Sequence, residues 1–218
     1  MHWLAPALPA IAGLQPMPRL HSPGKEEIAG LEPLQRLGLH DISVISTRQA
    51  AEPTFQLLDS ASVLGFDTES KPTFAKLEVS AGPHVVQFST LQKAYVFQLH
   101  DAGCREVVSA LLASHRIAKV GFGLAGDHQQ IMRTLGVQPQ NVLDLNLIFK
   151  KQGYIKELGV RGAVAVLFKR RFVKSRKATT SNWSNRQLTE SQIVYAANDA
   201  WAAIKVWDAL GLPAGQVG

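Results

Sequence analysis

Val63-Leu64-Gly65-Phe66-Asp67-Thr68-Glu69 is the stretch on which the reading of this chain turns. An apolar run carrying one glycine gives way to two acids separated by a single residue. The apolar part predicts a buried strand over Val63 to Asp67 that ends in acids. Side chains on a strand alternate between faces, so Asp67 and Glu69 share one face, about 7 Å apart along the chain. Two carboxylates on one side of a strand end repel each other, and a divalent cation relieves that repulsion and favours their ionised forms. An isolated Asp-x-Glu is more often a solvated pair in a turn, so the pair needs company before it marks a site.

Two further stretches supply it. In Val120-Gly121-Phe122-Gly123-Leu124-Ala125-Gly126-Asp127 a strand feeds through glycines into a helix, with a carboxylate in the first turn. An acid there stabilises a helix by about 0.3–1 kcal/mol through the helix dipole. That accounts for Asp127 but not for the glycines, which close packing against a ligand or a neighbouring element would explain. In Tyr195-Ala196-Ala197-Asn198-Asp199, positions i and i+4 place the phenol and the carboxylate on one helical face. The apolar and small residues around them (Ile193, Val194, Ala197, Ala200, Ala203) predict a packed face, where an acid must be paired, hydrogen-bonded or metal-bound.

Outward from these stretches the chain alternates strands and helices. Strands are expected at Ile42 to Ile45, His84 to Ser89 and Ala94 to Leu99, the last two joined by a turn at Leu91-Gln92-Lys93, and again at Ile117 to Gly121. Helices are expected at Arg48–Leu58, Cys104–Ser114, Leu124–Leu135 ended by Gly136, Asp144–Lys151, Gly159–Lys169 and Thr189–Leu210. The last opens on Thr189-Glu190-Ser191-Gln192, a capping signature. A meander followed by alternating strands and helices implies an α/β fold with a mixed central sheet flanked by helices. The expected organisation is a disordered leader over 1–24, with Met17 as an alternative start, a short helical extension over 25–41 built on a helix from Lys25 to Leu37, the main domain over 42–212, and a tail over 213–218.

Bulk properties narrow the classes. The chain has 218 residues, of which 46% are hydrophobic, and a net charge of +6, with a sequence pI near 9.6. That is enough apolar material for a core, and a basic balance attracts polyanions, nucleic acid first. No apolar run approaches the roughly 20 residues of a membrane span. Prolines interrupt the apolar start and no basic residue precedes it, unlike a secretion signal. The single cysteine, Cys104, excludes an internal disulfide and leads us to expect a reducing, cytoplasmic setting. At the start of a helix, with no histidine and asparagine arranged about it, Cys104 is not expected to be a nucleophile.

An acid pair on a strand, an acid at a helix start and a Tyr-x-x-x-Asp on a late helix, in that order, resemble the DEDD exonuclease superfamily. The match is to its tyrosine branch, which holds ribonuclease D and the Werner-type exonuclease domains. It covers Ile42 to Leu210, and Ser181-Asn182-Trp183-Ser184 leading into Leu188-Thr189-Glu190 looks most like the Werner-type group. Polymerase proofreading domains of the superfamily usually carry Asn where this chain has Gly123, which moves the reading away from them. Ribonuclease D usually continues into helical RNA-binding domains, and too few residues follow Leu210 for one, so tRNA processing is not expected.

The resemblance implies an RNase H-like fold and hydrolysis of DNA or RNA from the 3′ end, with two divalent ions, Mg²⁺ or Mn²⁺. It also implies roles: Asp67 bridging both ions, Glu69 and Asp199 completing the site for the ion that activates water, Asp127 holding the second ion through water, and Tyr195 orienting the attacking water. Nucleic acid is the expected partner, with no membrane and no protein partner evident. The residues expected to touch it are Thr68 between the acids, Lys174, Arg176 and Lys177 from the acid-free basic run Lys169 to Lys177, and Trp183, which is expected either to stack on a base or to pin its loop to the core. Asp144 is expected to cap or anchor the following helix, Asp59 and Asp101 to be structural, and His128 to be solvated. Two alternatives remain. One is a binding module that kept the fold and lost catalysis. The other is a nucleotide-cofactor enzyme, since Gly121, Gly123 and Gly126 formally match G-x-G-x-x-G and Asp144 lies near the spacing of a ribose-binding acid.

Overall fold

The computed structural model describes residues 19–73 and 79–213. After a short helix α1 (Lys25–Ala29), the chain runs β1 (Ile42–Ile45), α2 (Arg48–Asp59), β2 (Val63–Glu69), β3 (Val85–Ser89), β4 (Ala94–Gln98), α3 (Ala102–Ala113), β5 (Ala118–Gly121), α4 (Ala125–Leu135), β6 (Val142–Asp144), α5 (Leu145–Lys151), α6 (Gly159–Phe168), α7 (Arg176–Thr179) and α8 (Glu190–Ala209). Among the described residues six strands form one sheet in the order β1-β4-β3-β2-β5-β6. β2, β3 and β4 are antiparallel neighbours, while β1–β4, β2–β5 and β5–β6 pair in parallel. The mixed sheet expected from the sequence is therefore present, with β2 in its interior.

Alternation along β2 decides what lies on each side. Leu64 and Phe66 face α2 and α3, where Phe66 packs against Phe88 with ring centroids 5.7 Å apart and Phe88 meets Phe97 edge-on at 6.0 Å. Truncating a buried ring of this kind typically costs about 3–5 kcal/mol. Gly65, Asp67 and Glu69 face α8, which crosses β2, β3, β4 and β5 and buries Ala196, Ala197, Ala200 and Ala203. The approach is close enough that a Cβ on Gly65 would stand 2.0 Å from the carbonyl oxygen of Ala200. Only glycine allows this contact, and it brings Asp199, one residue before Ala200, over the acids of β2.

Helix ends follow their caps. Thr47 accepts from Ala50 N, Asp101 from Cys104 N, and Thr189 with Gln192 forms the capping box that opens α8. Cys104 is buried and its thiol is pushed up to about 12 by burial and Asp101, in line with its expected lack of nucleophilic character.

Several expectations need correction. The helix expected over Lys25 to Leu37 stops at Ala29, and the chain then docks on the domain without regular structure until a single 3-10 turn at Leu39–Asp41. Leu34 N donates to Arg171 O, and Asn198 on α8 bonds both the N–H and the carbonyl of Leu37 at 2.9 and 3.2 Å. Residues 19–24, expected to be disordered, are anchored: Leu20 pairs with Gly153 and Ile155 through their backbones. The rest of the leader, including Met17, and residues 214–218 of the tail lie outside the described residues. Val142–Asp144, where no strand was expected, forms the short edge strand β6, too brief to show a period. Arg176–Thr179, where no helix was expected, makes one helical turn capped by Ser175.

Candidate metal centre and exonuclease active site

β2 and α8 meet where the acids are. One carboxylate oxygen from each of Asp67, Glu69 and Asp199 lies within 4.8 Å of the others. Asp67 and Glu69 are half-buried, and Asp199 is buried. Asp127 reaches the same end of β2 from the first turn of α4, where the Thr68 hydroxyl donates a short hydrogen bond to its carboxylate. The glycines ahead of α4 have a packing reason. A Cβ on Gly121 would stand 2.5 Å from Phe66 O, and Gly123 turns the chain at φ +71.

Asp144 fixes this turn from below, its carboxylate accepting from Leu124 N at 3.1 Å and from Asn146 N at 2.9 Å. It anchors α5 as expected and α4 as well. With Asp144 so engaged and antiparallel strands at the centre of the sheet, the dinucleotide-cofactor alternative fails. Asp59 pairs with Arg116 and Asp101 caps α3, both structural as expected, while the His128 ring is half-buried against Pro139 O at 3.3 Å rather than solvated.

Burial and mutual repulsion hold these acids far from their ordinary state. Burial first, then Asp199 and Asp127, raises Asp67 well above the usual carboxylate range. Burial and Asp67 push Glu69 up to about 9. Burial raises Asp199 and Asp127 too, opposed at Asp199 by Lys174 and at Asp127 by the Thr68 hydrogen bond. Asp199 Oδ1 is buried with no hydrogen-bond partner among the described residues. Converging carboxylate oxygens that are costly to ionise alone, one of them orphaned, fit a hard divalent cation bound through oxygen.

Tyr195 stands one helical turn before Asp199. Its ring packs on Trp183 with centroids 5.9 Å apart, and its hydroxyl accepts from Thr179 at 3.2 Å. Burial, then the Asp199 charge, pushes the phenol up to about 12. The segment ahead of α8 is tied to that helix, because Gln192 Nε2 donates to Ser181 Oγ at 3.0 Å and to Asn182 O at 3.3 Å, while Gln98 Nε2 bonds Asn185 O and Arg186 O. The Ser181-Asn182-Trp183 stretch thus locks the phenol in place.

Three of the residues expected to touch nucleic acid are placed otherwise. Trp183 is 1% exposed, so base stacking is closed to it and pinning the loop is its role. Thr68 is buried, with its hydroxyl committed to Asp127. Lys174 turns inward, its ammonium 2.7 Å from Asp199 Oδ2 and 5.4 Å from the centroid of the Tyr195 ring. Burial works to lower its pKa, but the Asp199 carboxylate outweighs this and leaves Lys174 above the usual lysine range. Arg176 and Lys177 stay exposed on α7, as a phosphate-binding role requires. Sequence reasoning missed Thr179, Asn198 and the inward turn of Lys174. Only Asn198 carried a signal, as a polar residue on a face expected to be packed.

A 3′-5′ exonuclease family model matches residues 42–213. The chain belongs to the 3′-5′ exonuclease family. It is 26% identical over 177 residues to the mouse bifunctional 3′-5′ exonuclease/ATP-dependent helicase WRN, a match covering 78% of this chain and 13% of that protein. To an Arabidopsis thaliana 3′-5′ exonuclease it is 27% identical over 150 residues, 67% of this chain and 52% of that protein. The chain thus matches about half or less of the length of these relatives. The Aedes aegypti Nibbler EXO domain superposes with a TM-score of 0.68 at 18% identity, covering 80% of this chain and 89% of that one. Trypanosoma brucei RNase D, solved in complex with RNA U12, gives 0.68 at 20% identity over 81% and 64% of the two chains. At such identities the likeness is one of fold, and it places this exonuclease-family chain on the RNase D-like architecture. Among the described residues no helix is long and apolar enough to cross a membrane.

Proposed function

We propose that this chain hydrolyses phosphodiester bonds of DNA or RNA from the 3′ end and releases nucleoside 5′-monophosphates. It would do so as a member of the tyrosine branch, with two divalent ions, Mg²⁺ or Mn²⁺. The observation that carries the reading is the convergence of Asp67, Glu69 and Asp199, with Asp127 alongside, at a burial where their charge is costly without a cation. By the family resemblance Asp67, Glu69, Asp127 and Asp199 would hold the ions, with Glu69 and Asp199 serving the side of the attacking water and Asp127 the side of the leaving 3′-oxygen. Bound ions of this kind lower the pKa of water and stabilise charge on the attacking and leaving oxygens.

The chain's own residues supply placement. Thr68 aims Asp127, and the close packing at Gly65 sets the depth of Asp199. The phenol of Tyr195, pushed up to about 12, stays protonated at neutral pH. Tyr195 therefore orients the attacking water through its hydroxyl and does not remove the proton. Exposed Arg176 and Lys177 attract the phosphate backbone with little sequence preference. A cytoplasmic setting goes with this reading, in keeping with the single cysteine.

Single-stranded DNA and RNA labelled at the 5′ end test the proposal. With Mn²⁺ or Mg²⁺ a ladder shortening from the 3′ end is expected, and EDTA or Asp67→Asn should abolish it. Mn²⁺ binding and oligonucleotide binding without cleavage would instead leave a binding module on this fold.

A further inference from the structure

Lys174 lies between α6 and α7, on a segment without helix or strand. Its side chain is 24% exposed, whereas the Asp199 side chain it pairs with is 4% exposed. The ammonium sits against the Tyr195 ring and touches the oxygen of Asp199 opposite the orphaned Oδ1. Since the donor oxygens of Asp67, Glu69 and Asp199 fall within 4.8 Å of one another, a cation shared by them enters the volume the ammonium already neutralises. In a partly buried site like charges are weakly screened, so the two cations oppose each other there.

Lys174 has room to leave. It lines two separate cavities, one of about 290 Å³ bounded by Arg36, Glu190 and Ser191, and one of about 360 Å³ bounded by Phe122, Gly123, Glu157 and Arg161. Each offers a carboxylate, Glu190 or Glu157, to a displaced ammonium. Among the described residues no regular backbone pairing holds position 174, in contrast to Arg171, whose backbone bonds Glu32 and Leu34.

Resting on the metal-site reading above, we propose that Lys174 is the resident counter-ion of the acid cluster: it holds Asp199 while no metal is bound and exchanges with the cation when one arrives. The metal-free site is then held together by an ion pair, and the affinity for the ion is set below what the acids alone would give. Lys174 is a positioning residue that acts through Asp199, and its inward turn separates it in function from Arg176 and Lys177.

The test is Mn²⁺ binding by calorimetry to the wild type, Lys174→Met, Lys174→Arg and Asp67→Asn. Removing the charge in Lys174→Met should tighten Mn²⁺ binding by about tenfold or more and lower the melting temperature of the metal-free protein. Lys174→Arg, which keeps the charge, should bind no tighter than the wild type. On the wild type alone, acetic anhydride footprinting read by mass spectrometry should show Lys174 acylated slowly without Mn²⁺ and faster at saturating Mn²⁺, with exposed Lys177 unchanged as the reference. Equal or weaker binding by Lys174→Met, tighter binding by both variants, or a footprint indifferent to Mn²⁺ overturns the exchange. Should Lys174→Met fail to fold, the wild-type footprint decides. Wild-type binding that Asp67→Asn loses, with Lys174→Met unchanged, overturns the exchange and leaves the metal site standing. No difference between wild type and Asp67→Asn overturns both.

Discussion

Gly65→Ala probes the contact that joins fold to chemistry. The added Cβ would lie 2.0 Å from Ala200 O and 2.9 Å from Ala200 C, both of them backbone atoms in the middle of a buried helix. Ordinary contact begins at 3.4 Å, so α8 and β2 must separate by about 1.4 Å at that point. Neither element yields easily, because β2 is bonded on both sides and α8 is packed across the sheet. Overpacking of this kind costs about 1–3 kcal/mol. The same displacement carries Asp199 away from Asp67, and a misplacement of about 1 Å can cost about a hundredfold in rate. Urea unfolding should therefore show a lower midpoint at an unchanged slope, and single-turnover cleavage of a 5′-labelled oligonucleotide with saturating Mn²⁺ should slow by about ten- to a hundredfold. A variant with a lowered midpoint and wild-type turnover would refute the argument that this contact sets the depth of Asp199.

Glu69, pushed up from 4.5 to about 9, binds more protons folded than unfolded between those values, so its contribution to stability falls as pH rises through that window. The melting temperature of the metal-free protein should drop from pH 5 to pH 9 more steeply than that of Glu69→Gln, measured side by side; equal slopes would remove Glu69 from the strained cluster. Tyr195→Phe keeps the ring against Trp183 and removes the hydroxyl, so kcat should fall by about ten- to a thousandfold, about 1.4–4 kcal/mol of barrier, with KM much less affected. The wild-type pH–rate curve should show no inflection near 6.5, the value a histidine base would impose; near-normal kcat in Tyr195→Phe would take Tyr195 out of the mechanism. Neutralising Arg176 and Lys177 together should flatten the salt dependence of oligonucleotide binding, each lost contact to a single strand removing about 0.7 from the log–log slope, with turnover at saturation unchanged. An unaltered slope would mean that α7 is merely a solvated face.

How far the sequence revealed this protein depended on the range of the interaction. Strands β2 to β5 and helices α2, α3, α4 and α8 were legible because apolar periodicity and caps such as Thr189 and Asp101 act within a few residues. The acids were legible as a set because their order along the chain is distinctive. What escaped depended on contacts between distant segments. The course of the chain past α1 is fixed by docking of Leu37 on Asn198, 161 residues away in sequence. Lys174, one of six basic residues in an acid-free run, reads as surface until the fold sets Asp199 beside it. Trp183 offered two readings, and only its burial against Tyr195 chooses between them. Strand β6 has three residues, too few to show any period, and exists because β5 gives it an edge to pair with.

If Asp67, Glu69, Asp127 and Asp199 hold metal, crystals soaked in Mn²⁺ should reveal it by anomalous diffraction. Two peaks about 3.5–4 Å apart are expected, with Asp67 between them, Asp199 and Glu69 around one and Asp127 beside the other. A protein that binds Mn²⁺ elsewhere, or crystals with these carboxylates open to solvent and no peak among them, would contradict that placement.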